Sequence, residues 1–102
     1  MRVAYVPDLL DRSRFNAVPN LIVVTTAAAI DSIAGLGPGD VVAVDLAREG
    51  ALAAAGRAAA RGATVYGFAS HVDTDTLKAA KAEGVNAMAR SAFFGRVNEL
   101  FA

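Results

Sequence analysis

A small set of acidic, basic and hydroxyl side chains follows the apolar runs of this sequence, and these side chains could support chemistry. Asp45 ends the third apolar run, and Asp8 follows the first. Ser70 and His71 follow the fourth run, and Arg90 follows the fifth. Paired carboxylates suit a hard cation such as Mg²⁺, whereas an arginine beside them neutralises their charge. A metal site and an internal ion pair are therefore the two alternatives for this group.

The elements that must position these side chains are strands of a parallel sheet. The run Val41–Leu46 is apolar without alternation, which is typical of a strand covered on both faces. Strands are predicted at residues 3–6, 21–24, 41–46, 64–69 and 85–89, and helices at 9–17, 27–34, 49–61, 74–83 and from 91 onward. Such alternation predicts a three-layer, doubly wound α/β fold. Because the first turn is not glycine-rich, we expect the flavodoxin-like strand order 2-1-3-4-5 rather than a dinucleotide-binding fold.

Single residues set the predicted helix ends and the inward helix faces. Asp73 and Ser91 are expected to cap the last two helices. Leu9, Leu10 and Phe15 are expected to anchor the first helix in the core. The buried face of the last helix is predicted from four apolar residues at spacing i, i+4, i+7 and i+8: Phe93, Val97, Leu100 and Phe101.

Composition narrows the class of protein. A chain of 102 residues predicts one domain, spanning residues 1–102. Ten basic residues balance ten acidic ones, so no overall field favours nucleic acid or an anionic membrane. Cysteine is absent, which excludes disulfides and thiolate catalysis. Without a signal peptide or a membrane-length apolar run, we expect a cytoplasmic protein, and the alanine content is typical of a high-GC bacterial genome.

Around the polar side chains the sequence resembles a response-regulator receiver domain, and the resemblance covers essentially the whole chain. The matching segments are 6–8, 41–46, 68–73 and 84–91. Receivers accept a phosphoryl group on the aspartate that ends the third strand, with Mg²⁺ bound beside it. The resemblance implies that Asp45 is the phosphoacceptor. It also implies that Asp8, Asp45 and the backbone carbonyl of Ala47 are the metal ligands.

Several positions depart from the receiver pattern. Pro7 stands in place of an acidic residue, and Ala69 stands in place of a hydroxyl residue. The neighbouring Ser70 would point to the other face of the sheet if strand geometry continued. Arg90 replaces a lysine and Ser91 replaces a proline, and a planar guanidinium is not equivalent to a compact ammonium. These departures predict that Mg²⁺ binding is weakened, because Mg²⁺ gives up its waters only to well-placed oxygen ligands.

The favoured hypothesis is a degenerate receiver that acts by protein–protein contact without conventional phosphorylation. An ion pair of Arg90 with Asp45 or Asp8 would hold it in one state. One alternative is a functional phosphoacceptor at Asp45 with Mg²⁺. The other is a small-molecule or anion-binding protein at the same strand ends, with Asp8, Ser70, His71 and Arg90 in its pocket. A simpler alternative for Asp45 is that it ends a strand and caps the next turn.

The partner is expected to be another protein, or a second copy of this chain, bound through Phe93 and Phe94. Core packing of these rings is the competing interpretation, since only one of two adjacent helical residues faces the core. His71 is the only histidine and is expected to make a local hydrogen bond. Because the sequence has neither zinc spacing nor a nucleophile elbow, we predict that the protein is not an enzyme.

Overall fold

The computed structural model describes residues 1–102 and contains five strands and six helices. The strands are β1 (Arg2–Tyr5), β2 (Leu21–Val23), β3 (Val41–Asp45), β4 (Thr64–Ala69) and β5 (Asn86–Ala89). The helices are α1 (Leu9–Ser13), α2 (Ala27–Asp31), α3 (Ala51–Ala60), α4 (Thr74–Ala82), α5 (Arg90–Phe94) and α6 (Val97–Leu100). None of the helices has the length and apolar character needed to cross a membrane.

The strands form one parallel sheet in the order β2-β1-β3-β4-β5. β3 lies between β1 and β4, and its residues Val42 to Asp45 are buried, as its unbroken apolar character predicts. The predicted flavodoxin-like α/β fold is therefore confirmed. Because the strands are parallel, the loops after β1, β3, β4 and β5 meet at one edge of the sheet, which we call the rim.

The two faces of the sheet are packed with different side chains. The face toward α2, α3 and α4 is built largely from alanine and β-branched residues, and α3 contributes four buried alanines: Ala51, Ala54, Ala55 and Ala58. All five phenylalanines of the chain lie on the other face, beside α1, α5 and α6. Phe68 of β4 and Phe93 of α5 stack there with their ring centroids 5.0 Å apart. The phenylalanine face meets the rim where α5 begins.

The last helix differs from its prediction. It is divided into α5 and α6, because Gly95 ends α5 and Arg96, with a φ of −127°, has a non-helical backbone conformation. Ser91 is not its cap, since α5 begins one residue earlier, at Arg90. Of the four expected inward residues, Phe93, Val97 and Phe101 are nevertheless buried, and Leu100 is half-buried. The spacing thus predicted the buried face correctly, whereas the continuous helix and its cap were wrong. The cap predicted at Asp73 is confirmed by its hydrogen bond from the Thr76 amide.

The first helix is also rotated from its expected orientation. Leu9 and Leu10 were predicted to be inward anchors, but both are exposed. Asp11 is buried instead, and Phe15 is buried after the helix has ended. Since successive helical residues are about 100° apart, an inward Asp11 turns the two preceding leucines toward solvent. The carboxylate is held inward by its ion pair with an arginine of the rim.

Candidate functional site

Asp45 lies at the rim end of β3, where the sequence predicts it, and its side chain is 8% exposed. Oδ1 accepts a hydrogen bond from the Ala47 amide at 3.1 Å, and Oδ2 accepts one from Nε of Arg48 at 3.1 Å. Both oxygens are therefore engaged by the turn that follows the strand. This arrangement is the one expected of a residue that ends a strand and caps a turn.

Arg90 forms an ion pair at the rim, but its partner is Asp11 rather than Asp45 or Asp8. Its Nη1 and Nη2 atoms donate to Oδ2 and Oδ1 of Asp11 at 2.7 and 2.6 Å, a bidentate arrangement. The Asp11 side chain is 7% exposed and that of Arg90 is 44% exposed. Hydrogen bonding to Arg90 lowers the pKa of Asp11, against the opposing effect of burial. The expected partner was wrong because Asp11 sits on the inward side of α1.

Asp8, the other expected metal ligand, caps α1. Its Oδ1 accepts hydrogen bonds from the amides of Leu10 and Asp11, at 2.9 and 3.0 Å. Nowhere in the chain are three side chains of histidine, aspartate or glutamate grouped as metal ligands would be. Mg²⁺ needs nearly octahedral oxygen ligation, so at Asp45 it would compete with the two hydrogen bonds that this carboxylate accepts. Oδ2 of Asp8 accepts no hydrogen bond, so the fold already engages only part of the expected ligand set of Asp8, Asp45 and the carbonyl of Ala47.

Ser70, His71 and Asp73 follow β4 but do not form a catalytic relay. Oγ of Ser70 accepts a hydrogen bond from the Val72 amide at 3.4 Å. Asp73 caps α4. His71 is exposed, and its side chain makes no hydrogen bond, so the local bond predicted for it is missing. A relay requires a nucleophile, a base and an orienting acid joined by hydrogen bonds, and these three side chains are not joined.

Phe93 and Phe94 have different environments, as expected of adjacent helical residues. Phe93 is fully buried and stacks on Phe68, so it is a core residue and cannot contribute to a surface in this conformation. Phe94 is partly exposed and lies at the edge of the phenylalanine cluster. The guanidinium groups of Arg14 and Arg90 lie over its ring, 5.1 and 5.5 Å from the centroid. Of the predicted interaction surface, only Phe94 reaches solvent.

The rim contains a cleft of about 350 Å³ beside Phe94. It is lined by Arg14, Ser70, His71, Ala89, Arg90, Ser91 and Phe94. Three residues predicted for the pocket, Ser70, His71 and Arg90, are thus brought together. Asp8 and Asp45 do not line this cleft, so the structure divides the predicted pocket into two parts.

Three polar residues of the rim were not identified from the sequence as part of the site. Arg48 follows Asp45 by three residues, a spacing at which two side chains meet across a turn. That signal could have identified it. Asp11 and Arg14 are also three residues apart. Asp11 lies within α1, and Arg14 follows its last residue. The positions of their side chains depend on how α1 is rotated about its axis. The apolar residues Leu9 and Leu10 predicted a different inward face for this helix.

Comparisons with protein-family models, with curated proteins and with solved structures find no significant match to this chain. Function is therefore inferred from the residues of the rim and their geometry.

Proposed function

We propose that this protein is a receiver-like regulatory domain that acts by contact with a partner protein and is not phosphorylated in the conventional Mg²⁺-dependent way. The observation that carries the proposal is the engagement of all three aspartates near the ends of β1 and β3. Asp45 is held by Arg48 and a turn amide, Asp11 by Arg90, and Asp8 by two amides of α1. In the receiver pattern, the equivalent region is where a cation and a phosphoryl group are bound.

The ion pairs favour a single state of the rim. An arginine supplies the positive charge that Mg²⁺ would otherwise supply beside a carboxylate, and it is already in place. Attack by Asp45 on a phosphoryl donor would require its carboxylate to leave both Arg48 and the Ala47 amide. Both oxygens of Asp45, the expected phosphoacceptor, are therefore engaged in this conformation. Activity by contact does not need them.

Exposed apolar side chains at the rim support the contact part of the proposal. Leu9, Leu10 and Val72 are 73%, 79% and 73% exposed, and they are the three most exposed of the large hydrophobic residues. All three lie in segments that follow β1 or β4 at the rim. Exposed apolar residues of this kind, beside charged groups, are typical of protein interaction sites.

The first test is a backbone amide NMR titration with Mg²⁺, followed by Mg²⁺ with beryllofluoride, which mimics an acyl phosphate. We expect no saturable shifts at Asp8, Asp45 or Ala47 in the native protein. The Arg48→Ala variant should then gain a Mg²⁺ response at Asp45, because it frees one carboxylate oxygen. Arg57→Ala is the matched control, since Arg57 pairs with Asp31 and does not line the rim.

Saturable shifts at Asp45 in the native protein would overturn the proposal in favour of the phosphoacceptor alternative. No gain of Mg²⁺ response in Arg48→Ala would show that the ion pair is not what prevents binding. Contact with a partner protein is tested by cross-linking in cells that produce the protein. The Leu10→Ser variant is compared with Ile22→Ser, which changes an exposed position of β2. A cross-linked species lost only in Leu10→Ser supports contact at the rim, whereas equal patterns in both variants contradict it.

A further inference from the structure

The cleft beside Phe94 concentrates positive charge and hydrogen-bond donors. Arg14 and Arg90 are its only charged residues at neutral pH, and no aspartate or glutamate lines it. Ser70 and Ser91 add two hydroxyl groups, and His71 adds an imidazole. Its volume of about 350 Å³ lies within the range of small-ligand sites, about 300–1,000 Å³. Such a lining fits an anionic ligand.

Arg14 is the only arginine of this chain whose guanidinium makes no hydrogen bond. The other seven each donate to a carboxylate or to a backbone carbonyl: Arg2, Arg12, Arg48, Arg57, Arg61, Arg90 and Arg96. Arg14 instead lies against the Phe94 ring, 5.1 Å from its centroid. All five of its N–H donors are available at the edge of the cleft.

Arg90 is held in position while it keeps donors for a ligand. Asp11 accepts one N–H from Nη1 and one from Nη2, which leaves three of the five guanidinium N–H groups. The guanidinium also lies 5.5 Å from the centroid of the Phe94 ring that Arg14 contacts. Two cations therefore share one aromatic ring, and a single buried carboxylate, Asp11, is paired with one of them. One positive charge remains unpaired, and an anion between the arginines would compensate it.

We propose that this cleft binds a small phosphorylated molecule, with the phosphate bridging Arg14 and Arg90. A phosphate has enough oxygen atoms to accept from two guanidinium groups and from the hydroxyls of Ser70 and Ser91 together, whereas a carboxylate has two. The cleft extends over Ala89 and the Phe94 ring, which can contact the organic part of the ligand. Asp45 does not line the cleft, so the phosphoryl group is bound there and is not transferred to Asp45.

This inference does not depend on the proposed regulatory function. It concerns the cleft of Arg14 and Arg90, whereas phosphoacceptor chemistry would involve Asp45, which does not line the cleft. The two are also distinguished by their metal requirement. Phosphate binding in the cleft should occur in the presence of a chelator, without Mg²⁺.

The experiment is an amide NMR titration in EDTA with inorganic phosphate and with phenyl phosphate, at constant ionic strength maintained with sodium chloride. We expect saturable shifts at Arg14, His71, Ser91 and Phe94, and tighter binding of phenyl phosphate because it adds contact with the Phe94 ring. Arg14→Ala should weaken binding by about tenfold, the effect of losing one charge-assisted interaction. Arg96→Ala, which changes an exposed arginine outside the cleft, should leave the affinity unchanged.

Absence of saturable shifts would overturn the proposal, and so would equal affinities of the native protein and Arg14→Ala. Benzoate, titrated in the same way, tests the chemistry of the ligand. If benzoate binds as tightly as phenyl phosphate, the cleft recognises carboxylates and the assignment to phosphate is wrong. The Arg14 side chain is exposed and makes no hydrogen bond, so loss of folding should not obscure the result.

Discussion

The pairing of Asp11 with Arg90 shows how one charged residue can determine the orientation of a helix. Asp11 is buried, while the leucines before it are exposed, an inversion of the usual preference. The bidentate hydrogen bonds offset the cost of burying the carboxylate. We therefore regard this pair as the structural link between α1 and α5, and it also positions Arg90 at the cleft.

Replacement of Asp11 by Asn should destabilise the protein by about 1.5–3 kcal/mol at pH 7, the usual contribution of hydrogen bonds to charged groups. The effect is limited because the Arg90 side chain is 44% exposed and can be rehydrated. Urea unfolding monitored by circular dichroism would measure it. Asp31→Asn, at the more exposed pair with Arg57, is the control and should cost at most about 1 kcal/mol. Equal losses in the two variants would contradict a special role for Asp11.

The same pair makes stability depend on pH in a defined direction. The hydrogen bonds from Arg90 lower the pKa of Asp11 from its ordinary value of 3.8. The stabilisation is therefore complete above that ordinary value, and it is lost as the pH falls through the lowered pKa of the folded state. The difference between the native protein and Asp11→Asn should shrink below about pH 4. A difference that stays constant between pH 7 and pH 2 would exclude this origin.

At the scale of elements, β4 contains a glycine because Leu46 lies over it. A Cβ atom on Gly67 would lie 2.7 Å from Cδ1 and 2.8 Å from Cγ of Leu46. Leu46 is buried, and its amide donates to the carbonyl of Phe68 at 3.0 Å, so it cannot move away easily. A glycine inside a strand often marks such a close approach. It is needed here for contact and not for an unusual backbone conformation.

Gly67→Ala should therefore destabilise the protein by about 1–3 kcal/mol, the usual cost of overpacking. Leu46→Ala alone should cost about 2–5 kcal/mol, since it leaves a cavity. The double variant should be more stable than the sum of these losses implies, by about 1 kcal/mol or more, because the new methyl group partly fills that cavity. Denaturant unfolding of the three variants measures the coupling. Additive losses would show that Gly67 and Leu46 do not constrain each other.

Elements were easier to predict from the sequence than the contacts between side chains. The apolar run at Val41–Leu46 and the alternation of strands and helices predicted the parallel sheet, and the absence of a glycine-rich first turn favoured the strand order that is observed. The partner of Arg90 was not predictable in the same way, because it depends on how α1 is rotated over the sheet. The break at Gly95 was missed because the buried spacing from Phe93 to Phe101 continues across it.

At the scale of the whole molecule, the sheet is supported unevenly. β3 is paired along its length with β1 on one side and with β4 on the other. β2 is an edge strand of three residues that pairs only with β1. The helices on either side of it in sequence, α1 and α2, have five residues each. Ile22 and Val23 of this strand are 42% and 38% exposed, so little apolar surface is buried there.

This asymmetry predicts that β2 opens before the rest of the sheet. In native-state hydrogen exchange at low denaturant, the amides of β3 and β4 should exchange only through global unfolding. The amides of β2 should exchange at least about tenfold faster, which corresponds to a free energy of opening lower by about 1.4 kcal/mol. Val23→Ala should then accelerate exchange mainly in β2, whereas Val44→Ala should lower the protection of every strand, because Val44 is fully buried in β3. Equal protection in β2 and β3 would mean that the sheet opens as one cooperative unit. The edge strand β2 would then be held in place by the whole fold and not by its own local contacts.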